Sequence, residues 1–297
     1  LDGQVDIDYT ATVTRSGSVS LLDPNRSMVF DSASPVAGAL YLDRMIQIVY
    51  SVKTTAGWVE VPLCTGPVTK LTRSDDVVVA EFQGKEVLAM GQVWNPRTYP
   101  KGWRKVDVIQ SILQTRAGET KFTFPDASAK LPVDYAIGRM NTPWGVAQHL
   151  AKGMNLQLFY DGRGVCRLRP LPQTSVYHFR TGDGEAVMST PQLTYTLDDL
   201  KNTVWVRGAT TVVRGDPGGL LKIGAVANAP ANHPLSATRL GRNGVPRYLV
   251  EEYENTSITT QSEAQRFADS ILNQRLLESV DVAFDSLPIP HLEPGDV

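Results

Sequence analysis

Ser257-Ile-Thr-Thr-Gln-Ser-Glu-Ala-Gln-Arg-Phe-Ala-Asp-Ser-Ile-Leu-Asn-Gln-Arg-Leu-Leu-Glu278 carries a helix signal with both a start and a core face. Thr260 stands where a side chain caps a helix, and Glu263 three positions on can reach back to the uncapped amide. Ala264, Phe267, Ala268, Ile271, Leu272 and Arg275 recur at steps of three and four, so the apolar ones share one face. Beyond it, Ser279-Val-Asp-Val-Ala-Phe-Asp285 alternates, which puts Val280, Val282 and Phe284 on one side of a strand. Leu287-Pro-Ile-Pro290 ends that strand, because proline donates nothing to a sheet ladder. Leu292-Glu-Pro-Gly-Asp-Val297 then reads as a tight turn leading towards a further strand, which predicts a fragment of a longer chain.

Working outward to the N-terminus, residues 1–92 read as β-structure. Val5, Ile7, Tyr9, Ala11 and Val13 alternate with polar residues and predict one strand, reversed at Ser16-Gly17. Ser18 to Leu22 returns before Asp23-Pro24-Asn25 turns again. Leu40 to Val52 predicts a long strand, with Ala56-Gly57 a hairpin leading into Trp58–Leu63. Val68–Lys70 and Val77–Phe82 predict another hairpin around Arg73 to Asp76. Short strands at regular turns imply a closed or sandwiched β-domain, and a barrel removes the free edges.

Residues 93–190 change character. Trp94-Asn-Pro-Arg-Thr-Tyr-Pro is a connector. Val106, Ile109, Ile112 and Leu113 have helical spacing, with Asp107 in the first turn. Thr142-Pro143 opens a second helix carrying Trp144, Val146, Ala147 and Leu150, and Gly153 closes it. Leu156–Tyr160 and Val165–Pro170 flank Asp161-Gly-Arg-Gly164 as a hairpin, which makes this a middle α+β unit. From 191 to 297 a second β-domain is expected, with Thr203–Gly208, Ile223–Ala227 and Arg247–Glu254 as strands. The long irregular run from Asn228 to Pro246 predicts a functional or mobile loop.

The chain's 297 residues hold 29 basic and 31 acidic side chains, so no basic footprint for nucleic acid is present. Its two cysteines, Cys64 and Cys166, lie far apart, which excludes a cysteine-rich zinc site or disulfide scaffold and suits a reducing compartment. No run approaches the ~20 apolar residues of a membrane span. His149, His178, His233 and His291 never fall at metal-ligand spacing, and His149 reads as polar packing on a helix. Asp75-Asp76, Asp198-Asp199 and Glu251-Glu252 are the paired acids a glycosidase would need, but neighbours in a strand point to opposite faces. Nucleophile-elbow and phosphate-loop spacings are absent, and Gly215-Asp-Pro-Gly-Gly219 reads as a turn. Arg163, Arg167 and Arg169, and Arg239, Arg242 and Arg247, form two clusters that read either as solvated faces or as patches meeting an acidic partner. Neither catalytic residues nor a metal or other cofactor are expected. A cell-wall hydrolase would need a convergent acid pair. A carbohydrate- or receptor-binding module would need exposed aromatics such as Trp58, Trp94, Trp103 or Trp144.

Several motifs occur in a fixed order: Val13-Thr-Arg15, Leu21-Leu-Asp-Pro24, Ser34-Pro-Val-Ala-Gly38, Leu42 to Tyr50, Phe159 to Pro170, Asn202-Thr-Val-Trp-Val-Arg-Gly208, and the closing helix, strand and Pro294-Gly295-Asp296. In this order the chain resembles the tail hub (baseplate hub) proteins of tailed bacteriophages and related injection machines. The resemblance implies a mainly β chain with two barrel-like tube domains flanking the middle α+β domain. It also implies a homotrimer whose ring continues the tail tube, matches a six-fold tube to a three-fold tip and lets DNA pass without sequence recognition. The implied partners are a distal tail protein, the tape measure protein and tail-tip or fibre proteins, in a virion. Contacts between copies are expected at Tyr41, Arg44 and Gln47 around the long first-domain strand, and at Gln261, Gln265 and Arg275 on the closing helix.

Overall fold

A computed structural model describes residues 2–25, 40–91, 95–138, 141–170, 172, 174–182, 185–194, 196, 200–212, 220–277 and 281–296. The start of the connector with Trp94, the Ser34-to-Gly38 motif, Asp198-Asp199, Gly215 to Gly219, Val280 and Val297 lie outside them.

The first unit is one antiparallel five-stranded sheet in the order β1-β2-β5-β4-β3. Its strands are β1 (Asp2–Ile7), β2 (Arg15–Leu22), β3 (Met45–Thr54), β4 (Gly57–Ser74) and β5 (Val77–Gln83). Two sequence expectations are corrected here. The alternation from Val5 to Val13 is not one strand, because the Asp8 carboxylate accepts from the backbone and hydroxyl of Thr10, both at 2.7 Å, and turns the chain out. Ser16-Gly17 is not a reversal but lies inside β2, where Gly17 sits so close to β1 that a Cβ would meet the Gln4 carbonyl at 2.1 Å. The turns at Ala56-Gly57 and Asp75-Asp76 are where the sequence puts them. The sheet is curled but open among the described residues, with β1 and β3 at its edges. Its core is small: Leu40, Val68, Val78 and Ala80.

A short 3-10 turn at Lys85–Ala89 leads into the middle unit, which has the largest core. In order come β6 (Arg97–Tyr99), α1 (Lys105–Ala117), β7 (Phe122–Thr123), β8 (Tyr135–Ile137), α2 (Pro143–Lys152), β9 (Gln157–Tyr160) and β10 (Cys166–Arg169). β6 pairs with β8, while β9 and β10 form the expected hairpin beside β7. Helix α2 begins as its sequence dictates, with the Thr142 hydroxyl accepting from Gly145 N at 3.1 Å and Pro143 in the first turn. Val106, Ile109, Ile112 and Leu113 of α1 pack against Trp144, Ala147 and Leu150 of α2 and against the hairpin. Asp161 organises the hairpin turn by accepting from Arg163 N, Val165 N and Arg167 Nε at 2.7–3.0 Å.

After β11 (Gln192–Thr194), the third unit is a sheet of β12 (Thr203–Val212), β13 (Leu220–Asn228) and, beyond α3 (Ala237–Leu240), β14 (Val250–Glu254). α4 (Gln261–Leu277) packs on this sheet, with Ala264, Phe267, Ala268 and Leu272 against Val204, Val206, Ile223 and Ala225. The capping box forms: Thr260 Oγ accepts from Glu263 N, and the Glu263 carboxylate accepts from Thr260 N, both at 3.2 Å. The run from Asn228 to Pro246, expected to be functional or mobile, is pinned from within and just beyond its C-terminal end. Buried Asn202 donates to the carbonyls of Leu235 and Arg247 and accepts from Leu249 N at 2.8–3.1 Å. β15 (Asp281–Ala283) pairs with β11.

The units are interlocked. Trp144 donates to the Thr12 carbonyl at 3.1 Å, the Thr65 hydroxyl to the Gly162 carbonyl at 2.8 Å, and Lys105 Nζ to the Ser257 carbonyl at 2.7 Å. Buried Arg15 donates to the Leu63 carbonyl at 2.8 Å, to the Tyr160 carbonyl and to Glu293. The turn read at Pro294-Gly295-Asp296 is present, and Gln157 and Arg169 hold its Pro294 carbonyl at 2.8 and 3.1 Å. The end of the described chain therefore rests on the first and middle units.

Candidate functional site

The β3–β4 hairpin makes a ribbon that leaves the first sheet. Residues Gly57–Pro67 of β4 pair with β3 on one side, whereas β5 pairs only with Val68 to Ser74. Val52 faces Val59 across the ribbon and Lys53 faces Trp58, so successive pairs show apolar groups on both faces. Along the ribbon and at its root, Tyr41, Leu42, Met45, Val49, Val52, Trp58 and Val59 are exposed, Trp58 by 67%. A two-stranded ribbon without a packed face is marginal in water. Contiguous exposed apolar groups of this kind are what interaction surfaces present.

The expected contact residues fall in two places. Tyr41, Arg44 and Gln47 are exposed at the ribbon's root, with Gln47 donating to the Thr65 hydroxyl at 2.9 Å. Gln261 is exposed at the start of α4, and half-buried Gln265 donates to Asp269 at 2.9 Å. Arg275 is committed within the chain, to Glu251 at 2.7 and 2.9 Å and to the Tyr253 hydroxyl at 3.1 Å. Against the raising effect of burial, the bonds from Arg275 and Tyr253 hold the Glu251 carboxyl below its usual range. Burial, followed by Glu251, pushes the Tyr253 hydroxyl up to about 12.

The candidates for chemistry disperse. Asp75 and Asp76 form an exposed turn. Glu251 and Glu252 point to opposite faces of β14, one to Arg275 and the other to Arg207 on the outer face. Among the described residues no three His, Cys, Asp or Glu side chains converge as a metal site. Both cysteines are buried, and burial pushes the Cys64 thiol up to about 11 and raises Cys166 further. Trp144 is wholly buried against Tyr160, while Trp103 remains partly exposed. In the middle arginine cluster, Arg167 pairs with Asp161 and Arg169 with Asp296. Arg239, Arg242 and Arg247 are exposed.

Sequence reading did not single out the outer face of the third unit. There Trp205 lies between Val226 and Glu252, with the Arg207 guanidinium 4.7 Å from the indole centre. The signal was present in the alternation of Thr203-Val-Trp-Val-Arg207: Val204 and Val206 are buried under α4, while Trp205 and Arg207 face out. Among the described residues no helix is long and apolar enough to cross a membrane.

No protein-family model matches the sequence, and no curated protein does. Solved structures do. The 43 kDa tail protein of prophage MuSo2 from Shewanella oneidensis matches 95% of this chain and 76% of its own, with a TM-score of 0.54 and 13% identity. The tail protein from Neisseria meningitidis MC58 matches 95% of this chain and 73% of its own, with a TM-score of 0.56 and 12% identity. At such identities the likeness is one of fold. The chain has the fold of phage-type tail proteins, the class its sequence resembles.

Proposed function

We propose that this protein is a structural tail hub subunit, placed at the tip of a phage tail in the virion. Copies assemble as a homotrimeric ring that continues the tail tube. The observation that carries this reading is the β3–β4 ribbon, where Val49, Val52, Trp58 and Val59 are left exposed. In the ring, the ribbon and its root at Tyr41, Arg44 and Gln47 meet a neighbouring copy, and the open first sheet gains a partner at its β3 edge. The first and third units are the two tube domains, so three copies would supply six around the channel. That is the geometry needed to match a six-fold tube to a three-fold tip. The α4 positions Gln261 and Gln265 are proposed as secondary contacts. The distal tail protein, the tape measure protein and tail-tip or fibre proteins are the proposed neighbours. DNA would pass without sequence recognition, and a net charge of −2 suits a channel that must not hold phosphate.

The test is a Val52→Lys, Trp58→Asp double variant. Both side chains are exposed, so the isolated chain should keep its circular dichroism and melt within about 0.5 kcal/mol of the parent. Sedimentation should show the assembly lost. A variant that assembles as the parent does overturns the ribbon's role.

A further inference from the structure

A groove of about 340 Å³ runs between the Tyr9-to-Thr14 loop, the end of α2 with the start of β9, and the α4 side of the third unit. This is at the small end of the ~300–1,000 Å³ span of ligand clefts. It lies apart from the ribbon, and its chemistry is specific. Leu158 and Phe267 give it apolar walls, and Gln148, Lys152, Asn155 and Gln157 bring polar groups to it. No carboxylate is among its described lining residues. The Gln157 carboxamide belongs to the chain's own packing: its nitrogen donates to the Pro294 carbonyl at 2.8 Å, and its Oε1 is buried without a hydrogen-bond partner.

A primary carboxamide carries a donor and an acceptor side by side, the complement of a peptide main chain. Phe267 is buried and meets Tyr253 edge-on at 5.9 Å, so this pair offers no open ring face for a sugar. Lys152 adds an exposed cation at the rim. Burial, then Lys105 and Lys152, hold the imidazole of His149, one turn before it, below its ordinary range.

We propose that this groove binds a short extended peptide segment of a partner protein, with the carboxamides of Gln148 and Asn155 on its main chain and Lys152 beside an aspartate or glutamate. Such a segment would touch elements of all three units at once. It would hold them in one arrangement without using the ribbon.

The test is nuclear magnetic resonance of the full nitrogen-15-labelled chain, titrated with acetyl-Ala-Asp-Ala-Ala-amide, with its lysine counterpart and with chitotetraose. The expected result is saturable shifts at Gln148, Lys152 and Asn155 with the aspartyl peptide, binding several-fold tighter than the lysyl peptide. Lys152→Glu, at an exposed position, should reverse that preference by about five-fold, the scale of one exposed charge pair. No saturable shift at the groove, equal binding of both peptides, an unchanged preference in the variant, or saturation by the sugar instead would each overturn the proposal. Because assembly is not the readout, failure here leaves the ring reading intact, and the reverse.

Discussion

Arg15 shows what a single buried charge does in this chain. At 3% exposure it has little water, so its guanidinium is satisfied by the Leu63 and Tyr160 carbonyls and by Glu293. Arg15→Ala would strand both carbonyls and release the C-terminal run. Since Glu293 remains partly solvated, the expected loss is about 3 kcal/mol, read from urea unfolding. A loss under about 1 kcal/mol would show that the node does not join the units. Glu86 lies beside it, wholly buried, with one oxygen accepting from the Thr14 hydroxyl at 2.6 Å and the other unpartnered. Burial, opposed by the Thr14 bonds and Arg15, holds its carboxyl above the ordinary 4.5. The folded state therefore keeps this proton to higher pH than the unfolded chain does. From about pH 4.5 upward, until the folded carboxyl also ionises, the parent loses up to ~1.4 kcal/mol per pH unit at this group. Glu86→Gln cannot titrate, so its stability relative to the parent should rise with pH over that window. A difference independent of pH would contradict this. The sequence shows Arg15 only as the end of a motif, because its partners lie 48, 145 and 278 residues away. No local pattern reports such distances.

At the scale of elements, helix starts and most turns set by neighbouring residues were legible. The start of α4 followed from Thr260 and Glu263, and Thr260→Ala should cost about 1 kcal/mol in thermal unfolding. The β9–β10 hairpin followed from its glycines and from Asp161. What failed were the strand limits. β1 ends early because Asp8 captures Thr10, and β4 runs through Pro62 and Pro67 although the sequence suggested two shorter strands. Register shifts at Ile48/Val49, opposite Pro62, and at Val68/Lys70, just after Pro67, are the irregularities that let a strand carry proline. Gly162 was legible as a turn residue but not as a contact. A Cβ there would stand 2.0 Å from the Pro62 carbonyl, so Gly162→Ala should push the hairpin off β4 and cost about 1–3 kcal/mol. An unchanged melting temperature would mean that the two units are not tightly seated there.

For the whole molecule, the sequence conveyed a mainly β chain with an α+β middle, and the structure shares its fold with two tail proteins. The open edge of the first sheet was not legible, because closure depends on which strands meet and not on what each contains. Nor was the ribbon's exposure, since Val49, Val52 and Val59 look like core residues in any strand pattern. On the proposed reading both features have one account: the chain is a part whose missing surfaces belong to neighbouring copies. The most direct test is a cryo-electron-microscopy reconstruction of the assembled chain. The account predicts three copies about one axis, with first and third units alternating at steps of about sixty degrees around an open channel and each β3–β4 ribbon seated on the next copy. A particle with those units on separate levels, or with the ribbons pointing into solvent, would contradict it.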